Sequence, residues 1–149
     1  DRGGKTKYGI TEQVARANGY IGDMRDLPLE KAKEIYYKNY FVNHNYHLLP
    51  EAIAVEMFDQ AVNMGCVTAN RHLQRVLNLL LDSDSVAVDG VLGPITARYA
   101  EAVYKVYPTD MVRWLNILQG ARYLEIIESN PSQKVFARGW GKRVNITGR

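Results

Sequence analysis

Through most of the chain, apolar residues recur at the three-to-four residue spacing of an amphipathic helix. The strict alternation of a half-buried strand survives only at residues 85–91. Proline and glycine cut the helical pattern into pieces of helix length. Thr11 stands where an N-cap belongs, ahead of a short helix over 11–18 that Gly19 ends. Pro28 opens a second helix to about Tyr40, with Ala32, Ile35, Tyr36 and Tyr40 along one side. Pro50 starts a third, in which Ile53, Ala54, Met57, Phe58, Ala61 and Val62 form an apolar stripe. Glu56, Asp59, Gln60 and Asn63 lie opposite, and Gly65 is its natural C-cap. A fourth helix over 68–81 turns Leu73, Val76, Leu77 and Leu80 inward and Arg71, Gln74, Arg75 and Asn78 outward. Pro94 fits the first turn of a fifth over 95–107. Thr109 or Asp110 caps a sixth to about Glu128, with Met111, Trp114, Leu115, Leu118, Tyr123 and Ile126 as its core, and one short helix follows. The glycine-rich residues 1–10 and the uncharged residues 39–50 read as loops. The expected class is mainly α.

A chain of 149 residues with 46% hydrophobic content is long enough to fold as one globular unit. The richest apolar run, residues 76–81, is interrupted by Asn78, so no stable membrane insertion is expected. The single cysteine, Cys66, rules out an intrachain disulfide and reads as a packing residue. No Cys/His array has zinc spacing. The formal charge of +3 is mild but local: Lys134, Arg138, Lys142, Arg143 and Arg149 follow Pro131 with no acid among them. Such an end suits an anionic partner or simply a solvated surface. Ten of the fifteen aromatic residues are tyrosine, whose ring and hydroxyl fit either a wet groove that stacks sugars or the edges of helices.

Four short patterns that suggest chemistry fail on context. Gly4-Lys5-Thr6 resembles the end of a phosphate-binding loop, but Gly9 follows within one turn and no alternation of strand and helix builds a parallel sheet. Asp82-Ser83-Asp84-Ser85 opens like a calcium loop, yet the sixth position is Ala87 and the twelfth Gly93. His44 and His47 lack carboxylates at ligand spacing and read as polar surface. The outward face of the fourth helix could lie on DNA, but such faces are routine on amphipathic helices. No metal, cofactor or nucleic-acid partner is therefore expected.

Five separated segments carry a denser signal. Asp1-Arg2-Gly3-Gly4-Lys5-Thr6-Lys7-Tyr8-Gly9-Ile10-Thr11 resembles the D-x-G-G-x-T-x-x-G-I-T element of the glycoside hydrolase family 108 muramidases, phage-type lysozymes also known as secretion activator proteins. Phe58-Asp59-Gln60-Ala61-Val62-Asn63-Met64-Gly65 is similar to that family's F-D-x-A-V-N-x-G helix end, and Leu73-Gln74 to its L-Q signature. Asp89-Gly90-Val91-Leu92-Gly93-Pro94-Ile95-Thr96 resembles the D-G-x-x-G-P-x-T turn of the predicted peptidoglycan-binding domain that accompanies it. Gly139-Trp140-Gly141-Lys142-Arg143 resembles that domain's G-W-x-x-R ending.

The resemblance implies a lysozyme-like helical catalytic part over 1–69 packed against a peptidoglycan-binding helical part over 70–149. It implies hydrolysis of β-1,4 bonds between N-acetylmuramic acid and N-acetylglucosamine at the bacterial cell wall, by a monomer without cofactor. The alternative is a non-catalytic wall-binding or secretion-regulating protein of the same fold. In the family the essential glutamate lies in an E-G-G-Y element shortly before the D-x-G-G stretch, so it is expected ahead of Asp1, with residues preceding Asp1 missing from the sequence and no signal peptide visible. Glu12 is not a substitute, because an acid in the first turn of a capped helix is explained by the helix dipole. Asp1 is then the candidate second carboxylate or, equally, a turn-forming Asx cap. Thr6 either orients Asp1 or a water, or serves the loop alone. Tyr8, Tyr36 and Tyr37 are candidates for stacking on sugar rings, against a core role for Tyr36. Asp59 and Asn63 are candidates to line the groove, Asn63 through amide bonds to an N-acetyl group or as a backbone cap. For the Asp89 to Thr96 turn a structural role is expected, with Gly93 at positive φ.

Overall fold

The computed structural model describes residues 5–144, apart from the side chain of Tyr40, and is mainly α. Asp1 and Arg149 lie outside the described residues. The first departure from expectation is a β-hairpin where a loop was predicted. Strands β1 (Thr6–Lys7) and β2 (Ile10–Thr11) pair antiparallel, Thr6 opposite Thr11 and Lys7 opposite Ile10. Tyr8 and Gly9 both take positive φ, 54° and 78°, which makes the two-residue turn the type I′ form whose twist matches the strands it joins. Gly9, one of the glycines that argued against regular structure, is thus what a tight hairpin requires.

Thr11 caps helix α1 (Glu12–Ala17) by accepting the Val14 amide, and Gly19 at φ 86° leads the chain away. Arg16 then pins the following loop by donating to the carbonyls of Tyr20 and Gly22. A 3-10 turn (Met24–Asp26) precedes helix α2 (Leu29–Tyr36), which runs directly into a π-helical turn (Tyr37–Val42). A second 3-10 turn (Tyr46–Leu48), entered through left-handed Asn45, completes the stretch predicted as a plain loop. Ile10, Ala15, Met24, Leu27, Ala32 and Ile35 close a small core of their own.

The larger core is continuous from Tyr46 to Leu115. It is built by α3 (Glu51–Met64), α4 (Cys66–Leu81), α5 (Pro94–Val106) and α6 (Pro108–Ser129). Gly65 at φ 91° turns α3 into α4, so helices before and after residue 69 share one apolar interior and α4 spans that position. Pro108 begins α6 itself, one residue ahead of the predicted caps, as its fixed φ and missing N–H allow. Trp114 is half exposed rather than core, and Val62 is likewise exposed. Gln60 and Gln74, assigned to outer faces, are fully buried instead, as are Asn116 and Gln119 of α6. Residues 85–91 form no strand. A 3-10 segment (Pro131–Phe136) and α7 (Ala137–Arg143) fold back on α6, with Trp140 stacked between Tyr123 and Phe136 at centroid separations of 4.9 and 5.6 Å.

Candidate functional site

The hairpin, α1, α2 and the π turn enclose a groove of about 270 Å³ lined by Gly9, Thr11, Ile35, Tyr36, Asn39 and His44 among others. No carboxylate is among its described lining residues. One hydrogen bond holds its mouth: the Tyr36 hydroxyl donates to the Tyr8 carbonyl at 2.5 Å. A Cβ on Gly9 would stand 2.6 Å from that hydroxyl, so the bond and the turn both demand glycine there. The base of the hairpin is closed by the Glu12 amide, which donates to the Lys5 carbonyl at 2.8 Å. Lys7 reaches the Arg25 carbonyl on the neighbouring 3-10 turn. In that turn the Arg25 hydrogen bonds to Asp23 hold its carboxyl down at about 2.

Of the residues singled out from sequence, Tyr8 and Tyr36 meet at this groove. Thr6 is exposed on β1 opposite Thr11, and Asp1 lies outside the described residues. Tyr37 is half exposed and stacks on Phe41 at 5.0 Å, which in turn touches Phe58 of α3 at 6.0 Å. Asp59 and Asn63 are brought together elsewhere. Asn63 donates to the Asp59 carbonyl at 2.8 Å and to its carboxylate at 3.3 Å, and the other Asp59 oxygen accepts from Gln119 of α6 at 3.2 Å.

Asn39 and His44 line the groove without having been singled out for it. Asn39 had a signal, since it follows Tyr36 by three residues on a continuing helix face. His44 had none, because the π turn shifts the phase of the chain between α2 and the 3-10 turn.

A seam of buried polar groups joins α3, α4 and α6. Gln60 donates to Glu56 and to the Leu115 carbonyl, both at 2.9 Å, and meets His72 at 2.8 Å. Burial, with help from nearby Asp59, raises the Glu56 carboxyl above its usual range. Burial also lowers His72 to about 4, reinforced by the charges of Arg75 and Arg122.

The turn over 89–94 is held from inside. Gln74 donates to the Asp89 carboxylate and the Val91 carbonyl and accepts the Gly90 amide, each at 2.9 Å. Asn70 donates to the Gly90 carbonyl and accepts the Tyr46 hydroxyl, while Asn45 donates to the Leu92 carbonyl. Burial pushes the Tyr46 phenol and the Cys66 thiol upward, and Cys66 is partly buried against the larger core. Gly90 takes φ 78° as a Gly turn residue should, but Gly93 is extended at φ −95°, contrary to expectation, because the chain there only has to enter α5.

Among the described residues no group of His, Cys, Asp and Glu is arranged to hold a metal ion, and no helix is long and apolar enough to cross a membrane. The fold is a helical body in which a hairpin walls a groove held by the Tyr36 hydroxyl. Comparison with known families goes further: the model described as Glycosyl hydrolase 108 matches residues 1–65, and that described as Predicted Peptidoglycan domain matches residues 68–145. The chain thus belongs to the family of the predicted peptidoglycan domain, which fills its second half, and the region ahead of that domain matches glycoside hydrolase family 108. Among solved structures it is similar to that of Brucella abortus SagA, with 25% identity and a TM-score of 0.67 over 99% of this chain and 79% of that one. No curated protein matches it.

Proposed function

We propose that the chain belongs to a muramidase that hydrolyses the β-1,4 bond between N-acetylmuramic acid and N-acetylglucosamine in bacterial peptidoglycan. The observation that carries the reading is the position of the D-x-G-G-x-T-x-x-G-I-T element: its Gly9, Ile10 and Thr11 form one wall of the groove that Tyr36 gates. Acetal cleavage of this kind uses a carboxylic acid to protonate the leaving oxygen and a carboxylate to activate water or attack the sugar. The resemblance assigns the acid to a glutamate ahead of Asp1 and the carboxylate to Asp1, with Thr6 orienting it. Tyr8 and Tyr37, both about half exposed, offer ring faces to sugars, and Tyr36, Asn39 and His44 shape the groove. Asp59 and Asn63 would act at one remove, through the α3–α6 seam that they join. No cofactor enters this chemistry, and the protein works as a monomer at the cell envelope.

The test is digestion of purified peptidoglycan with the intact natural protein, counting new reducing ends against new free amines. Reducing ends without amines are expected. Amines alone, or neither product alongside retained wall binding, would remove the muramidase assignment and leave a wall-binding protein.

A further inference from the structure

The last turns of α4 and the chain that follows it form a second groove, on the peptidoglycan-domain side of the molecule. Arg75, Asn78, Leu79 and Asp82 fall at helical intervals along one face of α4 and its cap, and Ser83, Asp84 and Val88 return opposite them around about 480 Å³. The volume lies within the roughly 300–1,000 Å³ of small-ligand sites.

Its walls are fixed. Asp82 takes left-handed φ 49° and the Ser83 amide bonds the Asn78 carbonyl, turning the chain back. Both ends of the Asn78 amide then clamp Val86, donating to its carbonyl at 2.8 Å and accepting its amide at 2.9 Å. Val86 is buried beneath, while Leu79 and Val88 stay about half exposed as an apolar floor.

The charges around this floor are the telling feature. Arg75 and Asp82 stand about two turns apart along the helix side and Asp84 on the returning loop, and all three are exposed. None of them takes part in an ion pair among the described residues, where charged partners pair elsewhere at 2.6 to 3.8 Å. Opposite charges held apart across a rigid groove form two poles, not a neutralised bridge. A lone dication is disfavoured by Arg75, and a neutral glycan finds no aromatic platform in the lining. The matching ligand is a short zwitterion with apolar side chains.

We propose that this groove binds the peptide stem of peptidoglycan. Arg75 receives a stem carboxylate, Asp82 and Asp84 receive the ammonium of its diamino acid, and Leu79 and Val88 pack on alanine methyls. The proposal rests on the cell-wall reading above. It gives the second half of the chain a task separate from hydrolysis: seating the wall by its peptide while the first half addresses the glycan.

The test uses the isotope-labelled full chain titrated with a free stem tripeptide of L-alanine, D-glutamate and meso-diaminopimelate, with the peptide-free disaccharide, and with calcium. The stem is expected to shift the amides of Leu79, Ser83 and Val88 in a salt-sensitive way, and the other two probes are expected to leave them in place. Arg75→Glu and the pair Asp82→Asn with Asp84→Asn should each weaken stem binding at least about ten-fold with unchanged melting temperature, since these side chains are exposed. Acetylating the stem ammonium should weaken binding to the wild type and make no difference to the Asp82→Asn, Asp84→Asn variant. Shifts mapping elsewhere, equal binding by the variants, or the same shifts from calcium or disaccharide would overturn the proposal. Release of reducing ends by the intact protein without stem binding would overturn it while sparing the muramidase reading. Stem binding without reducing ends would do the reverse.

Discussion

The Nδ1–H of His72 donates to Oε1 of Gln60 across the α3–α4 interface at 2.8 Å. The direction follows from the other end of the amide: Gln60 Nε2 already donates to Glu56 and to the Leu115 carbonyl, so Oε1 must accept and His72 must carry its proton on Nδ1. A buried neutral imidazole beside two arginines resists a second proton, and its value falls to about 4.

That gives a signed pH dependence. Unfolded histidine titrates near 6.5, so between 6.5 and about 4 the unfolded chain binds the proton and the native one does not. The His72 contribution is complete above 6.5 and is lost as pH falls through this window, by on the order of 3 kcal/mol at about 1.4 kcal/mol per pH unit. Glu56, raised by burial, acts with the opposite sign, adding stability as pH falls through its own higher value. The two are separated by comparing wild type with His72→Gln in urea unfolding at pH 7, 5.5 and 4.5. The wild type should lose more stability toward acid than the variant, and parallel curves would show that His72 does not titrate here.

Gln74 is the lock on the 89–94 turn, and its replacement by leucine should cost about 2 to 4 kcal/mol. The change strands the buried Gly90 amide and removes the donor to the Val91 carbonyl while keeping the volume roughly constant, so the loss measures hydrogen bonding, not packing. Amide exchange at Gly90 should accelerate together with the drop in unfolding free energy. Unchanged protection at Gly90 would mean that the turn stands without Gln74.

The two glycines of the same turn should behave differently. Gly90→Ala forces a left-handed alanine whose Cβ lies 2.8 Å from a Val67 methyl and 3.4 Å from its carbonyl, a cost of about 1 to 3 kcal/mol. Gly93 is extended, and a Cβ added there would meet nothing within 4 Å, so Gly93→Ala should stay within about 0.5 kcal/mol of wild type. Thermal melts of the two single variants decide it, and equal losses would contradict the geometry.

The helices were legible because Pro28, Pro50, Pro94, Gly19 and Gly65 punctuate a strong apolar period, and Thr11 caps as its side chain dictates. Gln60, Gln74 and Gln119 were not legible as interior residues, because periodicity counts an amide as outward while they reach backbone groups and side chains distant in sequence. The groove was half visible. Its hairpin wall announced itself through the D-x-G-G-x-T-x-x-G-I-T element, but His44 arrives there through a π turn that no local pattern signals. The same long-range logic moves Asp59 toward α6, since its partner Gln119 lies sixty residues away.

At the hairpin, Gly9 and Tyr36 should be energetically coupled. Gly9→Ala adds a methyl that meets the Tyr36 hydroxyl at 2.6 Å but the ring carbon beneath it only at 4.0 Å. In the wild-type background the substitution therefore carries both left-handed strain at φ 78° and loss of the Tyr36–Tyr8 bond, about 2 to 3 kcal/mol together. Tyr36→Phe alone removes the bond and leaves space, at about 1 kcal/mol. When Gly9→Ala is made on top of Tyr36→Phe, the new methyl meets nothing but the ring edge, and only the strain of about 1 kcal/mol remains. The double variant should thus be less destabilised than the sum of the singles by about 1 to 2 kcal/mol in a urea double-mutant cycle. Reducing-end release by the intact protein should fall in Gly9→Ala and recover in part in the double variant, because the displaced tyrosine, and not the methyl, closes the groove. Strictly additive stabilities would show that the side chain swings clear without cost, and that the bond to Tyr8 does not set the groove's shape.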